Sequence, residues 1–245
     1  MEAPGTYHHT MMVATLSEHA AEAIGANSLL ARVASYFHDI GKLSNPGYFT
    51  ENSFDVDRHE DLSPNMSALI ILNHVKEGLN LAQKYKLKPP LREVIETHHG
   101  TSLVGFFYQR AMELNTDGKE RVDENDFRYP GPLPVGKEAS IISVADACEA
   151  ASRSLSEPTP GKIDTLVSDI ITNRLLDGQL NDSDLSMSEL QTVRESIKKS
   201  LRTMLHLRIS YNPNLVTNEN SPEQKIAPVP TEKSAPVVEG DSPSG

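Results

Sequence analysis

The chain of 245 residues carries 34 acidic and 23 basic side chains, which gives a net charge of −11. This balance argues against a protein that binds a nucleic-acid polymer, because phosphate contacts need clustered Lys and Arg, although bound metal ions would still attract a small phosphate substrate. The single cysteine, Cys148, excludes an internal disulfide and fits a reducing compartment. No run approaches 18 uninterrupted apolar residues and the N-terminus has no secretory pattern, so we expect a soluble, cytosolic chain.

The hydrophobic pattern predicts an all-α fold. Apolar residues recur at three- and four-residue spacing in successive segments, and we find no run with the period of two that is typical of a strand. Ser63-Pro64 is a strong helix start, while Gly25 and Gly100 are natural helix stops. The predicted helices span residues 9–24, 28–37, 64–85, 91–99, 103–114, 137–155, 163–176 and 188–209.

Three segments lack helical periodicity. Residues 44–62 and 115–136 are polar and contain Pro and Gly, so we expect two long loops. A substrate lid and a plain connector are both open for 44–62. Residues 212–245 hold six of the 16 prolines and no aromatic residue, too little apolar content to offset the entropy of ordering. We therefore predict one domain over 1–211, followed by a disordered Pro/Ser-rich tail.

The adjacent pair His38-Asp39 is the first candidate for chemistry. An apolar helix precedes the pair and Gly41-Lys42 follows it. One imidazole nitrogen and one carboxylate are common donors for first-row metals. Taken alone the pair is ambiguous, because His-Asp dipeptides arise often by chance.

Further candidate ligands lie on separate predicted helices. Each has an ordinary alternative. A lone histidine in the apolar setting of His74 is more often a core residue than a ligand, and Asp146 could be an acid paired with Arg153 or an exposed residue. Together they form an ordered series of seven, which is too many for one ion and suits two ions that share a bridging group. The series is His9, His38, Asp39, His74, His98, His99 and Asp146. Four histidines are interpreted as surface or supporting residues: His8, His19, His59 and His206.

Five longer strings carry a family resemblance. In chain order they are APGTYHHT (3–10), YFHDIGK (36–42), HHGTS (98–102), DFRYPGP (126–132) and PTPGK (158–162). With the ligand series they resemble the HD-domain metal-dependent phosphohydrolases, and more narrowly the cytoplasmic domain of the seven-transmembrane HD family of bacterial cyclic-di-AMP phosphodiesterases. Related cyclic-di-GMP enzymes carry an acidic residue after the paired histidines, where this chain has Gly-Thr-Ser.

The resemblance implies an HD-domain helical bundle with two divalent metal ions, iron or manganese. It assigns one ion to His9, His38, Asp39 and Asp146, and the other to His74, His98 and His99, with Asp39 bridging both. It further implies that a metal-bridging hydroxide attacks phosphorus. Lys42 would stabilise charge on a phosphate oxygen and Thr101 would donate to the same phosphate. Glu149 would orient a ligand imidazole.

The implied activity is hydrolysis of cyclic-di-AMP to linear 5′-pApA, with onward hydrolysis to AMP left open. The alternatives are an HD phosphohydrolase for another cyclic dinucleotide or nucleotide, a di-iron redox or sensor domain, and a binding module without turnover. The intact ligand series disfavours the last. The expected partner is a cyclic dinucleotide, with the oligomeric state open. Family members have membrane helices ahead of this domain, so we expect Met1 to be an engineered start on a cytoplasmic domain excised from a bacterial inner-membrane protein.

Overall fold

The computed structural model describes residues 2–52, 58–115 and 121–206, where all regular elements are helical. The helices are α1 Pro4–Ala23, α2 Ser28–Ser35, α3 Pro64–Lys84, α4 Pro89–Thr97, α5 Gly105–Leu114, α6 Lys137–Ser152, α7 Pro160–Leu176 and α8 Met187–His206. Across these residues β-pairing is limited to one isolated bridge between Leu103 and Arg128. The all-α prediction is confirmed, while the predicted tail and the domain end at 211 lie outside the described residues.

Local capping accounts for several helix starts. The Asn27 side chain accepts a hydrogen bond from the Leu30 N–H at 3.0 Å, at the start of α2. At the start of α3, the Ser63 hydroxyl accepts from the Met66 N–H at 3.3 Å. These caps are readable from sequence because the cap and the capped N–H are three residues apart.

The start of α1 was predicted wrongly. The helix begins at Pro4 rather than His9, which places His9 in its second turn. Ala3 supplies no side-chain cap; instead Asn52 Oδ1 accepts from the N–H groups of Gly5 (2.9 Å) and Thr6 (3.1 Å). A cap supplied from 46 residues along the chain leaves no local signal.

The two predicted loops contain short helical turns. In the described part of 44–62, 3₁₀ helices cover Pro46–Tyr48 and Thr50–Asn52, preceded by another at Ile40–Ser44. Glu124–Phe127 forms a 3₁₀ helix in the second loop. Helix α2 ends at Ser35, so the residues 36–39 that include His38-Asp39 lie in a turn rather than directly at a helix end.

Two apolar clusters position these elements. The larger joins α1, α2, α6, α7 and α8 through buried side chains such as Leu16, Ile141 and Ile197. The smaller packs Phe107 of α5 and Phe127 against α3. Helix α6 contacts α1, α2, α4, α7 and α8, so its side chains are buried around most of its circumference. Within the described parts of the chain, none of the helices combines the length and apolarity that crossing a membrane requires.

The reactivity of the Cys148 thiol tests whether α6 is buried as the structure places it. Its side chain is fully buried, and burial raises the pKa of the thiol to about 12. At pH 8 roughly one thiol in ten thousand is then ionised, against about a quarter for an ordinary cysteine. We expect negligible alkylation by iodoacetamide in the native protein and one equivalent after denaturation. Labelling of the native protein within minutes would show that α6 is exposed.

Candidate metal centre

The seven predicted ligands converge from five segments of the chain. They come from α1, from the turn after α2, from α3, from the end of α4 and from α6. Their ligand atoms form two groups, each with all its atoms within 4.8 Å of one another. The first group consists of His9, His38, Asp39 and Asp146. The second group consists of Asp39, His74, His98 and His99.

Asp39 divides its two carboxylate oxygens between these groups. Oδ2 lies 3.3 Å from Nε2 of His9 and 3.3 Å from Nε2 of His38. Oδ1 lies 3.3 Å from Nε2 of His74 and 3.6 Å from Nε2 of His98. One oxygen faces each group, which is the geometry of a bridging carboxylate.

Asp146 contacts histidines of both groups through its two carboxylate oxygens. Its Oδ1 lies 3.1 Å from Nε2 of His9 and 3.7 Å from Nε2 of His38, and its Oδ2 is 3.6 Å from Nδ1 of His99. The alternative pairing with Arg153 does not occur, since Arg153 lies 3.3 Å from Glu149 instead. Asp146 therefore faces histidines in the interior.

Backbone carbonyls orient three of the imidazoles. Nδ1 of His38 donates to the Ser35 carbonyl and Nδ1 of His74 donates to the Ile71 carbonyl, both at 2.7 Å. Nδ1 of His98 lies 3.0 Å from the Ile95 carbonyl. A proton on Nδ1 leaves a lone pair on Nε2, and here each Nε2 points toward Asp39. This tautomer suits metal ligation.

Glu149 orients the fourth imidazole. Its carboxylate, 1% exposed, accepts a hydrogen bond from Nδ1 of His9 and also pairs with Arg153. Nε2 of His9 is thereby turned toward Asp39. A carboxylate behind an imidazole in this way fixes the ring and increases its basicity.

Unsatisfied buried atoms show that these residues fit a cation. His9 and His38 are at most 1% exposed, and their Nε2 atoms, like Oδ1 of Asp39, have no hydrogen-bond partner among the described residues. The Nε2 atoms of His74 and His98 face each other at 3.4 Å. Polar atoms buried without partners are costly, and a divalent cation in each ligand group would satisfy those of that group. Imidazole and carboxylate donors suit iron or manganese.

The electrostatics are those of a site that attracts positive charge. Burial lowers the pKa of His38, but the Asp39 and Asp146 carboxylates outweigh burial and raise that pKa to about 9. Burial would raise the pKa of Asp39, yet Lys42 and His38 hold it well below its usual range. Burial and neighbouring imidazoles lower the pKa of His99. The carboxyls are therefore ionised and His99 is neutral, whereas His38 would have to give up its second ring proton when a cation binds.

Lys42 and Thr101, the two predicted phosphate-binding residues, have different surroundings. Nζ of Lys42 lies 2.7 Å from Oδ2 of Asp39 and 2.9 Å from Oε1 of Glu51. Thr101 is held by Gln179, whose Oε1 accepts from the Thr101 N–H and whose Nε2 donates to the Thr101 hydroxyl oxygen, both at 2.9 Å. Because the hydroxyl oxygen accepts from Gln179, the hydroxyl proton can point to another acceptor.

Sequence reasoning missed Glu51, Gln179 and Tyr129. The Tyr129 ring stacks on His99, with centroids 4.2 Å apart, and Tyr129 lies in one of the family strings without a role assigned to it. Gln179 is 1% exposed and has no local signal, because its partner Thr101 is 78 residues away.

The four histidines set aside divide between surface and interior. His8 and His19 are exposed, and the side chain of His206 lies outside the described residues. His59 is buried, so of its two predicted readings, a surface or a supporting residue, the surface one is wrong: its Nε2 donates to the Tyr48 carbonyl at 2.8 Å and its ring packs on Phe107. Of the three whose side chains the structure describes, His8, His19 and His59, none belongs to either ligand group.

Gln179→Ala tests the contact with Thr101. The substitution removes both bonds from Gln179 to Thr101, while the bond from Arg128 to the Thr101 carbonyl remains, so the Thr101 hydroxyl loses the group that orients it. We expect turnover of cyclic-di-AMP, the substrate that the family resemblance implies, to fall about tenfold. Small displacements of a positioned hydrogen-bond donor have effects of this order or larger. Steady-state kinetics beside Gln191→Ala, an exposed glutamine of α8, would measure the effect. Equal rates in both variants would exclude a positioning role.

Comparison with known proteins shows the family of this chain. The family model of the HD domain matches residues 6–151, more than half of the chain. The chain therefore belongs to the HD domain family.

Particular relatives narrow the resemblance. The chain is 49% identical over 211 residues to the cyclic-di-AMP phosphodiesterase PgpH of Bacillus subtilis, a match that covers 86% of this chain and 29% of the relative. It is 44% identical over 212 residues to PgpH of Listeria monocytogenes, again covering 86% of this chain and 29% of the relative. The crystal structure of the L. monocytogenes PgpH HD domain in complex with cyclic-di-AMP matches with a TM-score of 0.80 and 44% identity, over 83% of this chain and 94% of that one. The chain thus spans about three tenths of the length of these curated relatives.

Proposed function

We propose that this chain is a metal-dependent phosphodiesterase that hydrolyses cyclic-di-AMP to linear 5′-pApA. The observation that carries the proposal is the division of the Asp39 carboxylate between two ligand groups, in a domain that resembles one crystallised with cyclic-di-AMP. Two ligand groups with a shared carboxylate suit phosphoester hydrolysis, in which both the attacking and the leaving oxygen need charge stabilisation.

Two divalent cations, iron or manganese, would supply an acidified bridging water as nucleophile and would offset the charge of the phosphate. His9, His38 and Asp146 would hold one of them, and His74, His98 and His99 the other. Asp39 would contribute to both. In the overall reaction water adds to phosphorus, the P–O3′ bond breaks, and a proton from water ends on the 3′ oxygen.

The remaining residues would bind the phosphate or orient the residues that do the chemistry. Lys42, at the edge of the ligand groups, would place its ammonium against a non-bridging oxygen and stabilise the charge that grows there. Thr101 would donate a hydrogen bond from its hydroxyl to the same phosphate, while the side-chain amide of Gln179 donates to the Thr101 hydroxyl oxygen. Glu149 would keep Nε2 of His9 turned toward the centre.

Chromatography of reactions with added manganese tests the proposal. We expect cyclic-di-AMP to be converted to 5′-pApA, and faster than cyclic-di-GMP. No turnover by protein that holds two metals per chain would refute the substrate. Conversion of another cyclic dinucleotide or of a nucleotide instead would support a different HD phosphohydrolase. Activity that depends on oxygen and iron valence, and that manganese does not restore, would support the redox alternative.

A further inference from the structure

Lys42 contacts two carboxylates rather than one. Its ammonium lies 2.7 Å from Oδ2 of Asp39 and 2.9 Å from Oε1 of Glu51, and 5.1 Å from the centre of the Phe49 ring. The Lys42 side chain is 12% exposed and that of Glu51 is 7% exposed. In a site this secluded from water, the partners of the ammonium determine where it sits.

The two contacts are not equivalent under the proposed function. Oδ2 of Asp39 belongs to a ligand group, so a bound cation would take up its charge and would also repel the ammonium. Glu51 belongs to neither group. With the ligand groups loaded, Glu51 is the carboxylate whose charge still balances Lys42.

Glu51 is itself fixed by contacts to α1. The Thr6 hydroxyl donates to Oε1 of Glu51 at 3.3 Å, and the neighbouring Asn52 caps α1. The backbones approach so closely that a Cβ on Gly5 would lie 1.8 Å from the Glu51 carbonyl oxygen. Glu51 is therefore held against the same helix that carries His9.

We propose that Glu51 is a positioning residue that holds the Lys42 ammonium beside the metal centre once cations occupy the ligand groups. The inference rests on the proposed function for its two cations and for the phosphate contact of Lys42. Glu51 acts through Lys42 and touches no reacting atom.

Trace acetylation of lysines tests the contact without using turnover. The rate at Lys42, measured by mass spectrometry relative to exposed Lys162, is compared between wild type and Glu51→Gln, each metal-free and with manganese. We expect the substitution to raise the acetylation rate at Lys42 at least about fivefold with manganese and much less without it. In the metal-free protein Asp39 still balances the charge of the Lys42 ammonium, whereas in the manganese-bound protein it does not. Glu96→Gln, at an exposed site on α4, should change neither rate. An increase of equal size with and without manganese, or no increase, overturns the proposal.

A double-mutant cycle on turnover gives the second measurement. Glu51→Gln should lower kcat about tenfold in the wild-type background and less than about twofold in the Lys42→Ala background, since neighbours that act together are not additive. An equal loss in both backgrounds would mean that Glu51 does not act through Lys42. If wild-type protein fails to hydrolyse cyclic-di-AMP, the proposed function fails and the acetylation rates alone decide the role of Glu51.

Discussion

Replacing Asp39 by alanine is expected to lower turnover of cyclic-di-AMP at least about a thousandfold, because one side chain serves both ligand groups. The metal content should fall toward zero rather than by half, since each group loses a carboxylate oxygen that faces its imidazoles. Elemental analysis of the purified variant, together with steady-state kinetics, measures both effects.

Two further variants make the result specific. Asp39→Asn keeps the size of the side chain and removes its charge, so it should lose metal as alanine does while keeping the helical circular dichroism of wild type. Asp169→Ala removes an exposed carboxylate of α7 and should leave both metal content and kcat unchanged. A variant at Asp39 that retains two metals and near-normal turnover would contradict the bridging role.

Gly41→Ala is expected to destabilise the protein by about 3 kcal/mol or more, which corresponds to a fall in Tm of roughly 6–12 °C. A Cβ at Gly41 would lie 1.8 Å from the carbonyl oxygen of His74 and 2.5 Å from the backbone nitrogen of Gly78. Both are backbone atoms of α3, which cannot rotate away as a side chain does. The segment that carries Asp39 would have to move away from His74, so metal binding should weaken as well.

Gly161→Ala is the matched control. This glycine lies in the first turn of α7, and nothing is within 4 Å of the position its Cβ would take. Alanine there should stabilise the helix by about 0.5 kcal/mol. Thermal unfolding of both variants is monitored by circular dichroism. It compares the same substitution at a glycine packed against backbone atoms and at one with free space around it. Similar Tm values for the two variants would show that the contact between Gly41 and α3 is absent.

Much of this architecture could be predicted from local sequence. The helical period and the caps at Asn27 and Ser63 depend on residues a few positions apart, and the structure confirms them. The seven candidate ligands could be singled out because metal-binding residue types recur along the predicted helices, some of them in apolar segments where each would be costly without a partner. That they bind metal stays a prediction. The assignment of each ligand to one of two metals came from the family resemblance, and it remains a prediction.

The contacts that local sequence could not reveal join distant parts of the chain. Asn52 caps a helix that begins 48 residues earlier in the chain, so the start of α1 was misplaced. Glu51 meets Thr6 across the same interface, and Gln179 reaches Thr101 over 78 residues. In each case the partners are far apart in sequence and are brought together by the packing of the helices.

Titration of metal-free protein with manganese, while hydrolysis of cyclic-di-AMP is followed, is the most direct test of the account. We predict that turnover rises to its maximum as the bound metal reaches two per chain and that 5′-pApA is the first product. Full activity with one bound metal would contradict the shared role of Asp39. No hydrolysis with two bound metals would contradict the proposed reaction.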